Sequence, residues 1–214
     1  MGQLLKIHPT HPQRRLVARV ADAVRNGGLI AYPTDTSYAL GCRSGDGEAA
    51  HRIRHLRGVD DRHHLTLVCR DLAEVGRFAR MDNAQYRVVK KGAGGAFTFL
   101  LRATPEVPRR VQHPKRSTIG VRIPHHPVVL ALLAMLDEPI LSSTLLLPGD
   151  SEPMHDPEVI ASRLGKSIDM VVDAGPCKTI PSTVIDLETS PPTVVRRGLG
   201  DPAVLGIEEV RDLG

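Results

Sequence analysis

Residues 29–41 read LIAYPTDTSYALG, with Thr34, Asp35, Thr36 and Ser37 set between two apolar runs. A hydroxyl donates one hydrogen bond and accepts two, so the cluster has two uses. Either it satisfies the backbone of its own turn, as Ser, Thr and Asp commonly do, or it holds a small polar ligand on a rigid frame. Hydroxyls recur at Thr98, at Ser142, Ser143 and Thr144, and at Ser182 and Thr183. Arginines recur in similar settings, at 57, 102, 109, 110, 122 and 196. Arg122 and Arg196 alternate with apolar neighbours, and an arginine in a covered strand needs an anion or a carboxylate. A rim position, or an ion pair with Asp186 or Glu188, is the alternative to a bound anion. Guanidinium forks beside hydroxyls suit a phosphate or carboxylate ligand.

Other chemistries lack their residues. The strings GxxxxGK[ST], GxGxxG and GxSxG are absent, and GAGG at 92–95 precedes a strand, the wrong order for a phosphate-binding helix start. His51 and His55 have the spacing of two metal ligands on one helix, but no HExxH and no third ligand accompany them. They read as surface histidines, and no metal site is expected. In an extended chain neighbours point to opposite sides. The pairs His63-His64 and His125-His126 are therefore expected to place one ring each in a given site.

The elements that must carry these residues follow from periodicity and punctuation. Apolar residues at helical spacing predict helices over 11–26, 47–57, 72–80, 83–91, 126–137 and 156–165, several opened by Asp or Asp-Pro. Strands are expected at 29–32, 38–42, 65–69, 96–102, 118–123, 139–147, 169–175, 182–187 and 193–197. Alternation of the two predicts a mixed α/β sheet with helices against its faces. No repeat or linker divides the 214 residues, which read as one domain, 1–214.

Composition narrows the partners. The net charge is +4 with 22 arginines and six lysines, hinting at an anionic ligand, and aromatic residues make up 3%. That scarcity argues against base-stacking RNA binders. A groove that reads phosphates and shape remains open. Cys42, Cys69 and Cys177 form no CxxC and read as reduced thiols. With no long apolar run and only a two-leucine patch near the start, a cytoplasmic protein without a membrane partner is expected.

The strings GGLIAYPTDTSYALGC, PEVPRR, STIGVRIPHHPVVLALL, EPILSST, PSTVIDL and VVRRGLGD stand in the order found in the YrdC/YciO family. The chain resembles that family from about residue 8 to about residue 205, with a short tail at 206–214. RDL, VPRR and LPG make it most similar to the YciO branch. The resemblance implies a YrdC/RibB-like twisted mixed sheet with a basic concave cavity. It also implies a nucleotidyltransferase reaction, joining ATP, L-threonine and bicarbonate into threonylcarbamoyl-adenylate, the precursor of the t6A modification of tRNA. Mg²⁺ would accompany the ATP.

Carried over by position, Thr34, Thr36, His63, Arg122 and Ser182 would contact threonine. Arg57, Thr98, Arg102, Ser142, Thr144 and Arg196 would contact the nucleotide. No residue is expected to act as nucleophile; Arg57 and Arg122 would stabilise developing charge. Two signatures depart from the synthase pattern. K-x-R is here Arg57-Gly58-Val59, and S-x-N is Thr144-Leu145-Leu146. Val59 and Leu146 remove polar groups from the nucleotide side, which slows or redirects the synthase reaction. The alternatives are a YciO-type enzyme acting on a related adenylate, for instance by hydrolysis, and a module that binds tRNA or double-stranded RNA.

Overall fold

A computed structural model describes residues 3–207 of the chain. In chain order its elements are β1 (Gln3–Lys6), α1 (Arg14–Arg25), β2 (Ile30–Tyr32), β3 (Ala39–Arg43), α2 (Gly47–Arg57), β4 (Thr66–Val68), α3 (Leu72–Phe78), α4 (Asn83–Gly92) and β5 (Phe97–Arg102). There follow β6 (Thr118–Arg122), α5 (Pro127–Leu136), β7 (Ile140–Thr144), α6 (Pro157–Leu164), β8 (Met170–Asp173), β9 (Thr183–Asp186) and β10 (Thr193–Arg196). Short 3₁₀ turns lie at Arg109–Val111 and Pro202–Leu205. Residues 208–214, most of the expected tail, fall outside the described part.

The helix starts have visible causes. The side chain of Asp46 accepts from the amides of Glu48 and Ala49, and Asp71 accepts from Glu74. Asp156 accepts from Glu158 and Val159 ahead of Pro157. Each satisfies amides that an α-helix leaves unpaired at its N-terminus. Asp82 and Gln85 form a reciprocal capping box at α4. The helix α2 stops at Gly58, whose φ of +60° is left-handed. A Cβ there would stand 2.7 Å from the Pro148 ring. Conformation and space both demand glycine at that position.

The ten strands form one mixed sheet in the order β1-β8-β2-β3-β7-β4-β6-β5-β9-β10. Sequence-based reading assigned nothing to residues 3–6. There β1 pairs in parallel with β8 at the sheet edge, and its largely exposed residues gave no apolar pattern to read.

Side chains alternate across the sheet, and the two faces have different covers. On one face Phe97, Phe99, Leu101, Ile119, Val121 and Ile185 join the larger core with α2 residues Ala49, Ala50 and Ile53. On the other, Ile30, Tyr32, Ile140 and Val172 pack under α1 and α5. No residue of β5, β6, β9 or β10 belongs to this second core. That half of the face is left as a basin, floored by the even-numbered residues Thr98, Leu100, Arg122 and Val184. The open half of this sheet face is where the site lies.

Candidate functional site

The basin is a cavity of about 970 Å³, its mouth included. Thr34, Thr36, Arg57, His63, Thr98, Arg122, Ser142, Thr144, Ser182 and Arg196 all line it. They come from the end of one helix, four strands and three loops that are distant in sequence and brought together by the sheet. Register brings them together: Ser142 lies between Gly41 and Thr66, and Thr66 is in turn paired with Gly120.

One expected residue is elsewhere. Arg102 does not line the cavity; it is exposed and ion-paired with Glu188 at 3.6 Å. It shares the face of Thr98 and Leu100 but lies four residues beyond Thr98. At about 3.3 Å per residue that is some 13 Å along the strand. Parity was right and reach was wrong.

A second correction concerns the histidine pair. Both His63 and His64 line the cavity, because residues 61–63 form a turn and a bend instead of an extended chain. His64 Nε2 bonds the Thr118 hydroxyl at 2.8 Å, and its ring stacks on His113 with centroids 4.6 Å apart. Burial, then the neighbouring His113 and Arg116, push the His64 pKa down to about 4.

The PTDTS turn answers both readings of its hydroxyls. Thr34 Oγ1 donates to the Ser37 carbonyl at 2.7 Å and accepts from the amides of Thr36 and Ser37. Its proton is committed to the turn. Thr36 Oγ1 lies 3.0 Å from Thr34 Oγ1 and accepts from Arg122 Nη1 at 3.1 Å. With its proton and both lone pairs engaged in the turn, Thr34 has no further capacity for Thr36, which keeps its own proton and one lone pair. Ser142 Oγ donates to the Leu40 carbonyl at 2.9 Å and accepts from the Tyr32 hydroxyl at 2.7 Å. Burial lifts the Tyr32 pKa to about 12, so the phenol keeps the proton it donates. Its ring lies over Gly41, where a Cβ would stand 2.6 Å from Cε1. Thr34 Oγ1 is therefore saturated, Ser142 Oγ keeps one lone pair for a ligand, and Thr36 Oγ1 keeps one lone pair and its proton. Ser142 can accept from an amine but has no proton for a phosphate, whereas Thr36 can do either.

Donors come from the arginines. Arg122 Nη2 donates to Asp35 Oδ2 at 2.9 Å, not to Asp186 or Glu188, and its Nε has no hydrogen-bond partner among the described residues. Asp186 is taken by Arg116 at 2.6 Å. Arg196 donates to the Ser182 carbonyl from Nε and Nη2, and Ser182 Oγ lies 2.8 Å from Thr98 Oγ1. Burial, and then the charges of Arg57 and Arg122, bring the Arg196 pKa down to about 10. Burial likewise lowers Arg57. Two buried guanidinium groups, Arg57 and Arg122, and the half-buried Arg196 thus face one cavity, with Asp35 as the carboxylate paired to Arg122. An anion entering there relieves their mutual repulsion.

The altered signature residues Val59 and Leu146 do not line the cavity. The Leu146 backbone does take part, its carbonyl accepting from Arg57 Nε at 3.2 Å. Sequence reasoning named neither Tyr32 nor Asp35 as site residues. Tyr32 reads as one more apolar strand position, and the partner of Asp35 lies 87 residues away.

Cys42 and Cys69 are buried free thiols and Cys177 is half-buried. No helix among the described residues is long and apolar enough to cross a membrane. Nor do those residues hold three metal-binding side chains in one group.

Comparison with known proteins gives a consistent picture. The Sua5/YciO/YrdC family, described as telomere recombination, matches residues 22–198. The YciO protein of Escherichia coli K12 is 46% identical over 201 residues, covering 94% of this chain and 98% of that protein. The crystal structure of E. coli YciO superposes with a TM-score of 0.93 over 96% of this chain and all of that one, at 45% identity. The P. abyssi Sua5 structure complexed with L-threonine gives a TM-score of 0.83 at 25% identity, over 91% of this chain and 57% of that one.

Proposed function

The chain belongs to the Sua5/YciO/YrdC family, and on that premise we propose that its cavity binds ATP and L-threonine and joins them with bicarbonate into threonylcarbamoyl-adenylate, releasing pyrophosphate. The product would feed the t6A modification of tRNA. A threonylcarbamoyl-AMP synthase of Pyrococcus abyssi is 29% identical over 192 residues, which are 89% of this chain and 54% of that protein. One observation carries the reading. Two buried arginines and a half-buried third share the cavity with Thr36 and Ser142, each of which has a lone pair to spare, so the cavity offers donors to phosphates and acceptors to an amine.

The chemistry asks for placement more than for a reactive side chain. The threonine nitrogen, unprotonated, attacks the carbon of bicarbonate; the C–OH bond breaks, and the hydroxide takes a proton from the nitrogen and leaves as water, giving the carbamate. A carbamate oxygen then attacks the α-phosphorus, and the bond to pyrophosphate breaks. Holding reactants in line can supply roughly 7–11 kcal/mol of barrier reduction. Arg57, Arg122 and Arg196 balance charge on the phosphate oxygens and on the departing pyrophosphate. Thr36 and Ser142 take the hydrogens of the amine and leave its lone pair free. Mg²⁺ would enter on the triphosphate of the substrate and not on the protein, since the carboxylate beside the cavity is already paired with Arg122.

Labelled bicarbonate, incubated with protein, ATP and threonine, tests the proposal. Label retained in an acid-labile adenylate, one pyrophosphate released per label, is the expected result. No label above background at high protein concentration overturns it. A second reading has its own support, because Val59 and Leu146 carry no polar group where the synthase signatures do. In that reading the protein acts on an adenylate already formed, and a supplied threonylcarbamoyl-adenylate would be hydrolysed faster with protein than without.

A further inference from the structure

Arg57 leaves the last turn of α2 and reaches back over the sheet, and its hydrogens can be counted. Nε donates to the Leu146 carbonyl at 3.2 Å. Nη1 donates one hydrogen to Ser143 Oγ at 2.6 Å and the other to His63 Nε2 at 2.9 Å. A guanidinium has five N–H groups, and three are now used. The two on Nη2 have no protein partner among the described residues, and the side chain lines the cavity. Three acceptors thus fix the Nε and Nη1 groups of the fork and leave Nη2 for a ligand.

His63 is confined by the same contact. An arginine can only donate, so His63 Nε2 must bear its lone pair and Nδ1 its proton. The ring is neutral. Burial, and then the Arg57 charge, bring its pKa down to about 4. What it still offers a ligand is one N–H on Nδ1. That group cannot accept from the ammonium of an amino acid.

We propose that His63 is a positioning residue, holding Arg57 so that Nη2 meets a phosphate, and not a contact to the amino acid. This rests on the reading of the cavity as a nucleotide site. The need for His63 is specific to arginine. Lysine, which stands at the first position of the K-x-R signature, is a compact point charge that has no fork to orient.

The test is a double-mutant cycle read by calorimetric titration of inorganic pyrophosphate, Mg-ATP and threonine into the full chain. His63→Leu removes the acceptor; His63→Gln keeps one at nearly the same place. A hydrogen bond to a charged group is worth roughly 1.5–3 kcal/mol, so H63L is expected to weaken pyrophosphate and Mg-ATP about tenfold or more. H63Q is expected to recover to within about threefold of the parent, and threonine affinity to stay unchanged throughout. In an Arg57→Lys background H63L should change pyrophosphate affinity less than about twofold, because coupled sites are not additive.

Additive effects of R57K and H63L overturn the proposal. So does a loss of threonine affinity with pyrophosphate unaffected, or an H63Q as weak as H63L when thermal unfolding shows both folded. A parent protein that binds neither pyrophosphate nor Mg-ATP overturns the nucleotide reading itself and this inference with it. Binding with additive mutational effects overturns this inference alone.

Discussion

Replacing Arg122 by methionine keeps most of its length and removes its charge. It leaves the Asp35 carboxylate, 19% exposed, without the guanidinium 2.9 Å away. Removing one partner of a buried ion pair costs about 3–5 kcal/mol. The residual exposure of Asp35 puts the expectation at the low end, about 3 kcal/mol. For a domain of this size 1 kcal/mol moves the melting temperature by roughly 2–4 °C, so R122M should melt about 6–12 °C lower. Asp35→Asn neutralises the stranded group. The double variant R122M/D35N should therefore be less destabilised than the sum of its parents, by about 1.5–3 kcal/mol. Urea unfolding of the four proteins, at one pH and with unchanged m-values, measures this coupling. Additivity within about 0.5 kcal/mol would mean that the pair is not a unit, and that the cavity arginines owe their placement to something else.

Three further outcomes follow from the same geometry. His63 and His64 both have pKa values near 4 in the fold, against about 6.5 unfolded. The unfolded chain binds their protons first, so they leave stability untouched above pH 6.5 and lower it progressively between pH 6.5 and 4. The loss at pH 5 should be on the order of 1 kcal/mol per histidine after allowance for solvent screening, and urea titrations at pH 7.5 and 5 of the parent and a His64→Gln variant measure it. Tyr32→Phe removes the buried donor to Ser142 and should cost about 1 kcal/mol, checked by chemical unfolding. Gly58→Ala must adopt a left-handed φ against the Pro148 ring. A loss of about 1–3 kcal/mol is expected, with weaker pyrophosphate binding because Arg57 is the adjacent residue.

What the sequence showed and what it hid divide along physical lines. The limits of α2 were readable from Ala49, Ala50, Ile53 and Leu56 at helical spacing, and in the structure Asp46 and Gly58 close its ends. The strands were readable as apolar runs between turn residues. Their order was not, since β7 inserts between β3 and β4, and β8 between β1 and β2. Nothing local announces those pairings. The hydroxyl and arginine clusters could be named one by one, but only the sheet places Ser142 over Gly41 and brings Arg122 to Asp35. Arg102 had the right parity, and the position of the cavity along β5 left it out. The histidine pair went wrong because the period-2 rule was applied to residues that form a turn. The directions of the Thr34 and Ser142 hydroxyl protons emerge only from the full hydrogen-bond network.

A crystal of the protein grown with ATP and L-threonine puts the central claim to its most direct test. Phosphate density is expected against Arg57 Nη2, Arg122 and Arg196, with the threonine nitrogen within hydrogen-bond distance of Thr36 and Ser142. Either molecule bound outside this cavity, or the two in reversed positions with phosphate against Ser142 and the amine against the arginines, would contradict it.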